Sequence, residues 1–176
     1  MRSEVAEYER LRHEFGPVFD ENSRILILGS FPSVKSRESR FFYGHPQNRF
    51  WRVLAAVTGD SVPETVEEKK AFLLRNRIAV WDVIAECDII GSSDSSIKNV
   101  TPIDLPWLLS RTRIERIYVN GGKAYELYQK YLWPASGREC ERLPSTSPAN
   151  AAYSMERLTE AWSVIVTGND WVKSGA

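Results

Sequence analysis

The run Arg24-Ile25-Leu26-Ile27-Leu28-Gly29 constrains this chain most: four consecutive aliphatic residues that stop at a glycine. An apolar run with no alternation fits a strand buried on both faces, the kind found in parallel sheets covered by helices. Residues 78–84 and 114–119 repeat the pattern, and residues 139–143 read as a fourth, shorter strand. Helical spacing separates them. Residues 47–57 bury Phe50, Val53, Leu54 and Val57 on one face, and a helix opening at Pro63 turns Val66 and Phe72 inward. Further helices are predicted over residues 103–109, 124–132 and 153–166, and an amphipathic one over residues 4–13, closed by Gly16-Pro17. The end, residues 169–176, is expected to fray. Alternation of strands with long crossovers specifies an α/β chain: a three-layer α/β/α sandwich around a mostly parallel four-stranded central sheet. A length of 176 residues fits one domain.

In such sheets the working loops leave the carboxyl ends of the strands, here after Leu28, Ile84 and Leu143. The first carries Gly29-Ser30-Phe31-Pro32-Ser33 and then Phe41-Phe42-Tyr43-Gly44-His45-Pro46-Gln47-Asn48-Arg49-Phe50-Trp51. Gly29 allows a tight turn near the sheet, and Pro32 stiffens it without adding a donor. Phe41 and Phe42 either pack under the loop as core or serve as a platform. Formal net charge is zero, so any anionic partner must meet a local concentration of positive charge. Between residues 33 and 52 the bases Lys35, Arg37, Arg40, Arg49 and Arg52 face one acid, Glu38. Basic residues interleaved with aromatics compose a nucleic-acid groove with stacking platforms, or else a solvated face.

Two distant cysteines, Cys87 and Cys140, cannot by themselves ligate an iron–sulfur cluster or a structural zinc, and each reads as a free thiol. No metal or cofactor is expected. The first 14 residues lack the apolar stretch of a signal peptide, and no window is long and apolar enough to span a membrane, which predicts a cytoplasmic protein. A Gly-Lys-Ser/Thr phosphate loop is absent, which disfavours a nucleotide-handling hydrolase.

The ten-residue run from Phe42 to Trp51 resembles the segment that follows the first motif of mismatch-specific uracil/thymine-DNA glycosylases, a His-Pro-x-Asn-Arg-Phe-Trp run. Leu143-Pro144-Ser145-Thr146-Ser147-Pro148-Ala149-Asn150 is similar to the second motif of the uracil-DNA glycosylase superfamily, and the two come in the same order. Those mismatch enzymes carry a water-orienting Asn just before the Pro of the first motif, where this chain has Phe31. Gly-Ser-Phe-Pro-Ser, with Trp81-Asp82-Val83-Ile84 and residues 91–97, resembles instead the hypoxanthine-DNA glycosylase branch, whose catalytic Asn maps to Asn48.

The resemblance implies a monofunctional glycosylase that flips a deaminated base, hypoxanthine first and uracil or mismatched thymine as alternatives, out of DNA and hydrolyses its N-glycosidic bond. It implies a monomer whose partner is DNA. Asn48 would orient the water, backbone N–H groups around Ser30 and Phe31 would meet the base, with Gly29, Pro32 and His45 beside it, and Tyr43 would stack on it. Ser145, Thr146 and Ser147 would grip phosphates, and Pro148, Ala149 and Asn150 would lie against the gap in the duplex. On local sequence alone Asn48 is equally a helix cap, and His45 and Asp82 hold loops by hydrogen bonds. Asp94 does the same or assists at the sugar, with Arg49 as a second accessory. His13, placed on a helix, offers no partner to a serine nucleophile. Phe31 at the usual catalytic position also fits a DNA-binding relative without chemistry.

Overall fold

The computed structural model describes residues 7–167. Its strands are β1 (Glu9–Arg12), β2 (Ile25–Gly29), β3 (Ile78–Asp82), β4 (Ile84–Ile89), β5 (Lys98–Pro102), β6 (Arg116–Asn120) and β7 (Glu141–Leu143). The helices are α1 (Val34–Ser39), α2 (Phe50–Thr58), α3 (Val66–Arg75), α4 (Leu105–Ser110), α5 (Gly122–Leu127), α6 (Trp133–Ser136), α7 (Met155–Trp162) and α8 (Val164–Thr167). Four strands form an all-parallel sheet in the order β3-β2-β6-β7.

Every residue of β2 is buried, as its unbroken apolar run demands. Ile25 and Ile27 point to one face, where they meet Phe50, Leu54, Phe72, Leu158 and Trp162 from α2, α3 and α7. Leu26 and Leu28 point to the other, against Leu105, Leu108, Ala124 and Leu127 from α4 and α5. Helices therefore cover both faces, and the expected sandwich is present. Phe41 and Phe42 are core, at 4% and 2% exposure, rather than a loop platform.

Three expectations need correction. Within the helix predicted over residues 4–13, Glu9–Arg12 form the strand β1 and residues 7, 8 and 13 no regular element; residues 4–6 lie outside the described residues, as do residues 169–176. Three apolar positions at helical spacing were too few to outweigh pairing of β1 with β4. The strand predicted over residues 78–84 stops at Asp82, and after Val83 the chain enters β4, the middle of a second, antiparallel sheet in the order β1-β4-β5. That sheet escaped notice because Glu9-Arg10-Leu11-Arg12 and Lys98-Asn99-Val100-Thr101-Pro102 are charged or polar edge strands without clean alternation. The helix predicted over residues 124–132 starts at Gly122 and widens to a π-helical turn at Tyr128–Leu132, whose Tyr128 hydroxyl donates to the Arg138 carbonyl at 2.7 Å.

Candidate active site

A cavity of about 310 Å³ opens where β2, β3 and β6 end, bounded by Gly29, Asp82 and Asn120 at the strand ends and by Ser30 to Pro32, Tyr43, His45, Asn48, Asp94 and Ser145 to Pro148 above them. The strand-end rule thus brings nearly all the predicted residues together. Gly29 is needed for room, not for an unusual backbone angle: a Cβ there would lie 2.5 Å from Asp82 Oδ1 and 3.0 Å from the Tyr43 hydroxyl. The N–H groups of Ser30 and Phe31 donate to no acceptor among the described residues, so two backbone donors remain at the cavity.

Tyr43 adopts a left-handed φ of 51°, an unfavourable conformation for a side chain of its size. Its ring stacks on Phe50 at 3.8 Å and 16°, which pins the turn and leaves only the opposite ring face for a ligand. The hydroxyl is sealed from solvent without a hydrogen bond. Burial pushes the phenol far up, the charge of Asp82 adds to this, and the neighbouring Asn120 amide opposes it.

Asn48 is held from two sides. Its Oδ1 accepts from the Phe50 N–H at 2.9 Å, which satisfies the start of α2, and from the Thr146 hydroxyl at 2.8 Å. The N-cap of α2 is Arg49, with no side-chain cap, so Asn48 is not the cap expected from the sequence; it braces the turn one residue earlier, and does so with its oxygen alone. A carbonyl oxygen has two lone pairs, so the part of Asn48 left for the cavity is its Nδ2 donor. Thr146 is fully buried and is itself fixed by Asn120, which donates to its hydroxyl at 3.0 Å and accepts from its N–H at 3.0 Å. The expected phosphate contact from Thr146 is thus replaced by an inward role, the middle of an Asn120–Thr146–Asn48 chain that joins two strand ends to α2.

Arg49 also works inward. Its guanidinium donates to the carbonyls of Ser147 (3.1 Å), Asn150 (3.0 Å) and Tyr153, clamping the Ser/Pro loop against α2. Arg37 donates to the Pro32 and Gly91 carbonyls, so it ties the first loop to the next one. Arg40 is near Glu14, and Lys35 near Glu38, in exposed pairs, while Arg52 is exposed. The basic cluster is thus split: two arginines are structural, and Lys35, Arg40 and Arg52 remain at the surface.

Ser145 and Ser147 use their hydroxyls to accept the N–H of Ser147 and Ala149, turning the loop tightly. The Asn150 side chain donates to the Ser145 carbonyl, and Pro148 and Ala149 are exposed at the tip. His45 Nδ1 accepts from the Gln47 N–H at 3.1 Å, the loop role expected of it. Asp94 sits at the rim and accepts from the Ser30 hydroxyl at 3.3 Å. Partial desolvation raises its carboxyl above the usual range, opposed by Ser30 and Lys123.

Sequence reasoning missed two residues. Asn120 ends β6, and the strand-end rule would have found it had it been applied to that strand. His13, assigned to a helix, instead follows β1 and meets Asp82 at 2.7 Å with its side chain 4% exposed. Nothing local signals that contact, which joins residues 69 apart. Beside the cavity a groove runs past Gly122, Arg142, Ser147 and Asn150.

A family model for the uracil DNA glycosylase superfamily matches residues 17–166. A hypoxanthine DNA glycosylase from Methanosarcina acetivorans is 38% identical over 157 residues, covering 88% of this chain and 98% of that protein. Another, from Methanosarcina barkeri, is 35% identical over 150 residues, 84% of this chain and 93% of the relative. A solution NMR structure of a proposed uracil DNA glycosylase from M. acetivorans superposes with a TM-score of 0.74 at 38% identity, covering 86% of this chain and 93% of that one.

Proposed function

We infer the function from the family: this chain belongs to the uracil DNA glycosylase superfamily. It is a DNA glycosylase, a hydrolase acting on N-glycosyl bonds, and its partner is DNA. We propose hypoxanthine, deaminated adenine, as the base it removes. The names of two relatives and the Phe31 departure in the first loop support this choice. Uracil is the second candidate, because the similar solved structure is described by that activity.

The observation that carries the mechanism is the clamped Asn48. A reacting sugar passes through an oxocarbenium-like state and needs a placed water more than a strong base. Asn48 Nδ2, fixed by the Thr146 hydroxyl and the start of α2, donates to that water's oxygen and holds it at C1′. The Ser30 and Phe31 N–H groups stabilise charge that develops on a carbonyl oxygen of the departing base, each worth about 3 kcal/mol in favourable geometry. Tyr43 offers its free ring face to the flipped base. The Ser145–Ser147 loop, braced by Arg49, lies along the flanking phosphates, and Pro148 and Ala149 face the gap in the duplex.

Incubating the protein in excess with inosine-containing duplex, followed by alkali, tests the proposal. Strand scission at the inosine supports it, and an intact strand under enzyme excess refutes it.

A further inference from the structure

Asp82, the last residue of β3, is 4% exposed at the floor of the cavity. A carboxylate taken out of water needs hydrogen bonds to most of its lone pairs. Asp82 has one from the described residues: Oδ2 accepts from His13 Nε2 at 2.7 Å. Oδ1 receives none and lies over Gly29, where a Cβ would come within 2.5 Å of it. The missing side chain at Gly29 makes room for Oδ1 itself and for the Tyr43 hydroxyl beside it, so that the carboxylate can stand at the cavity.

His13 is shaped for aiming. Its ring is packed edge-on by Phe15 at 4.5 Å and Phe31 at 6.0 Å and tilted against Phe42 at 5.8 Å. A carboxylate oxygen can only accept, so Nε2 carries the proton in this contact. The other nitrogen, Nδ1, is buried without a partner. An aromatic cage that leaves one ring nitrogen unsatisfied is poor design for stability alone, and it holds the carboxylate in one rotamer.

We propose that Asp82 Oδ1 accepts the N–H of the lactam edge of the flipped base, and that His13 is the positioning residue that aims it. This rests on the base-excision reading above. In hypoxanthine the N1–H stands beside the C6 carbonyl, so a base seated with N1–H on Asp82 turns that carbonyl toward the donors of Ser30 and Phe31. Adenine presents a lone pair at N1 instead, which faces the carboxylate and is repelled. The pair thus separates a deaminated purine from its parent.

A chemical double-mutant cycle tests this. Single-turnover release is measured from DNA carrying inosine or 1-methylinosine, with the wild type, Asp82→Ala, His13→Phe and His13→Gln. Methylation deletes the donor, and Asp82→Ala deletes the acceptor and opens room for the methyl group. Each alone should slow release by about 10- to 100-fold, the range for a hydrogen bond to a charged group. Both together should be little worse than either. His13→Phe should shrink the methylation penalty, and His13→Gln, which keeps a donor near the same place, should restore part of it. A purely structural role would leave that ratio untouched. Should Asp82→Ala fail to fold by thermal melt, the two His13 variants carry the cycle. Penalties that simply multiply overturn the contact while leaving hypoxanthine excision intact. No release from inosine by the wild type removes both.

Discussion

Replacing Asn48 separates chemistry from bracing of the turn before α2, because the structure divides its side chain between the two. Asn48→Ala removes two hydrogen bonds, to the Phe50 N–H and the Thr146 hydroxyl. At about 1 kcal/mol each, the loss is about 2 kcal/mol, which in a domain of this size lowers the melting temperature by about 4–8 °C. It also removes the Nδ2 donor, and losing one preorganised donor slows the chemical step by about 10²–10³-fold. Asn48→Asp splits the effects. A carboxylate oxygen still accepts from both partners, so the protein should melt near the wild-type temperature, while the donor is gone and the rate should fall as far as in the alanine variant. The assay is single-turnover cleavage at saturating enzyme, run at least 10 °C below the melting transition, alongside a thermal scan. An Asn48→Asp protein with wild-type rate would refute the donor assignment and leave Asn48 as a brace of the turn before α2.

Two further predictions follow from the same geometry. Arg49→Ala removes three charged hydrogen bonds, leaves the Tyr153 carbonyl without a donor and the Ser147 and Asn150 carbonyls with only the Asn150 and Tyr153 N–H groups, and should lower stability by about 3–5 kcal/mol, whereas Arg52→Ala should change the melting temperature little and flatten the salt dependence of DNA affinity by about one unit of slope; equal melting shifts in the two would contradict the division of the basic cluster. Burial pushes the Cys87 and Cys140 thiols up to about 11, so at pH 7.5 roughly one in 3,000 is thiolate, and alkylation of the native protein should be slow and rise about tenfold per pH unit; fast labelling at neutral pH would contradict the packing around them.

The central sheet was legible because its strands are buried on both faces, and burial writes itself into sequence as an unbroken apolar run. The loops of the site were legible for a related reason: strand ends in a parallel sheet converge, so naming the strands named Gly29 to Pro32 and Ser145 to Asn150. The antiparallel sheet was not, since β1 and β5 are solvent-facing edges whose charges, such as Arg10 beside Glu86 and Asp88, read like a surface helix or a loop. Side-chain duties were legible only as types. Five basic residues near an aromatic run suggested phosphate binding, yet Arg37 and Arg49 point at backbone carbonyls, a direction that only the folded chain fixes. Likewise Thr146 shares its loop with two half-buried serines but is itself wholly buried, because Asn120 and Asn48 flank it.

The central claim is that this cavity excises a deaminated purine from DNA. Its most direct measurement is mass-spectrometric identification of the free base released from duplexes carrying inosine, xanthine, uracil or mismatched thymine, with the strand kept from alkali. Free hypoxanthine, together with an uncut strand holding an abasic site, is the predicted result, with inosine the best substrate of the four. Release of uracil alone, or of no base from any duplex under enzyme excess, would contradict it.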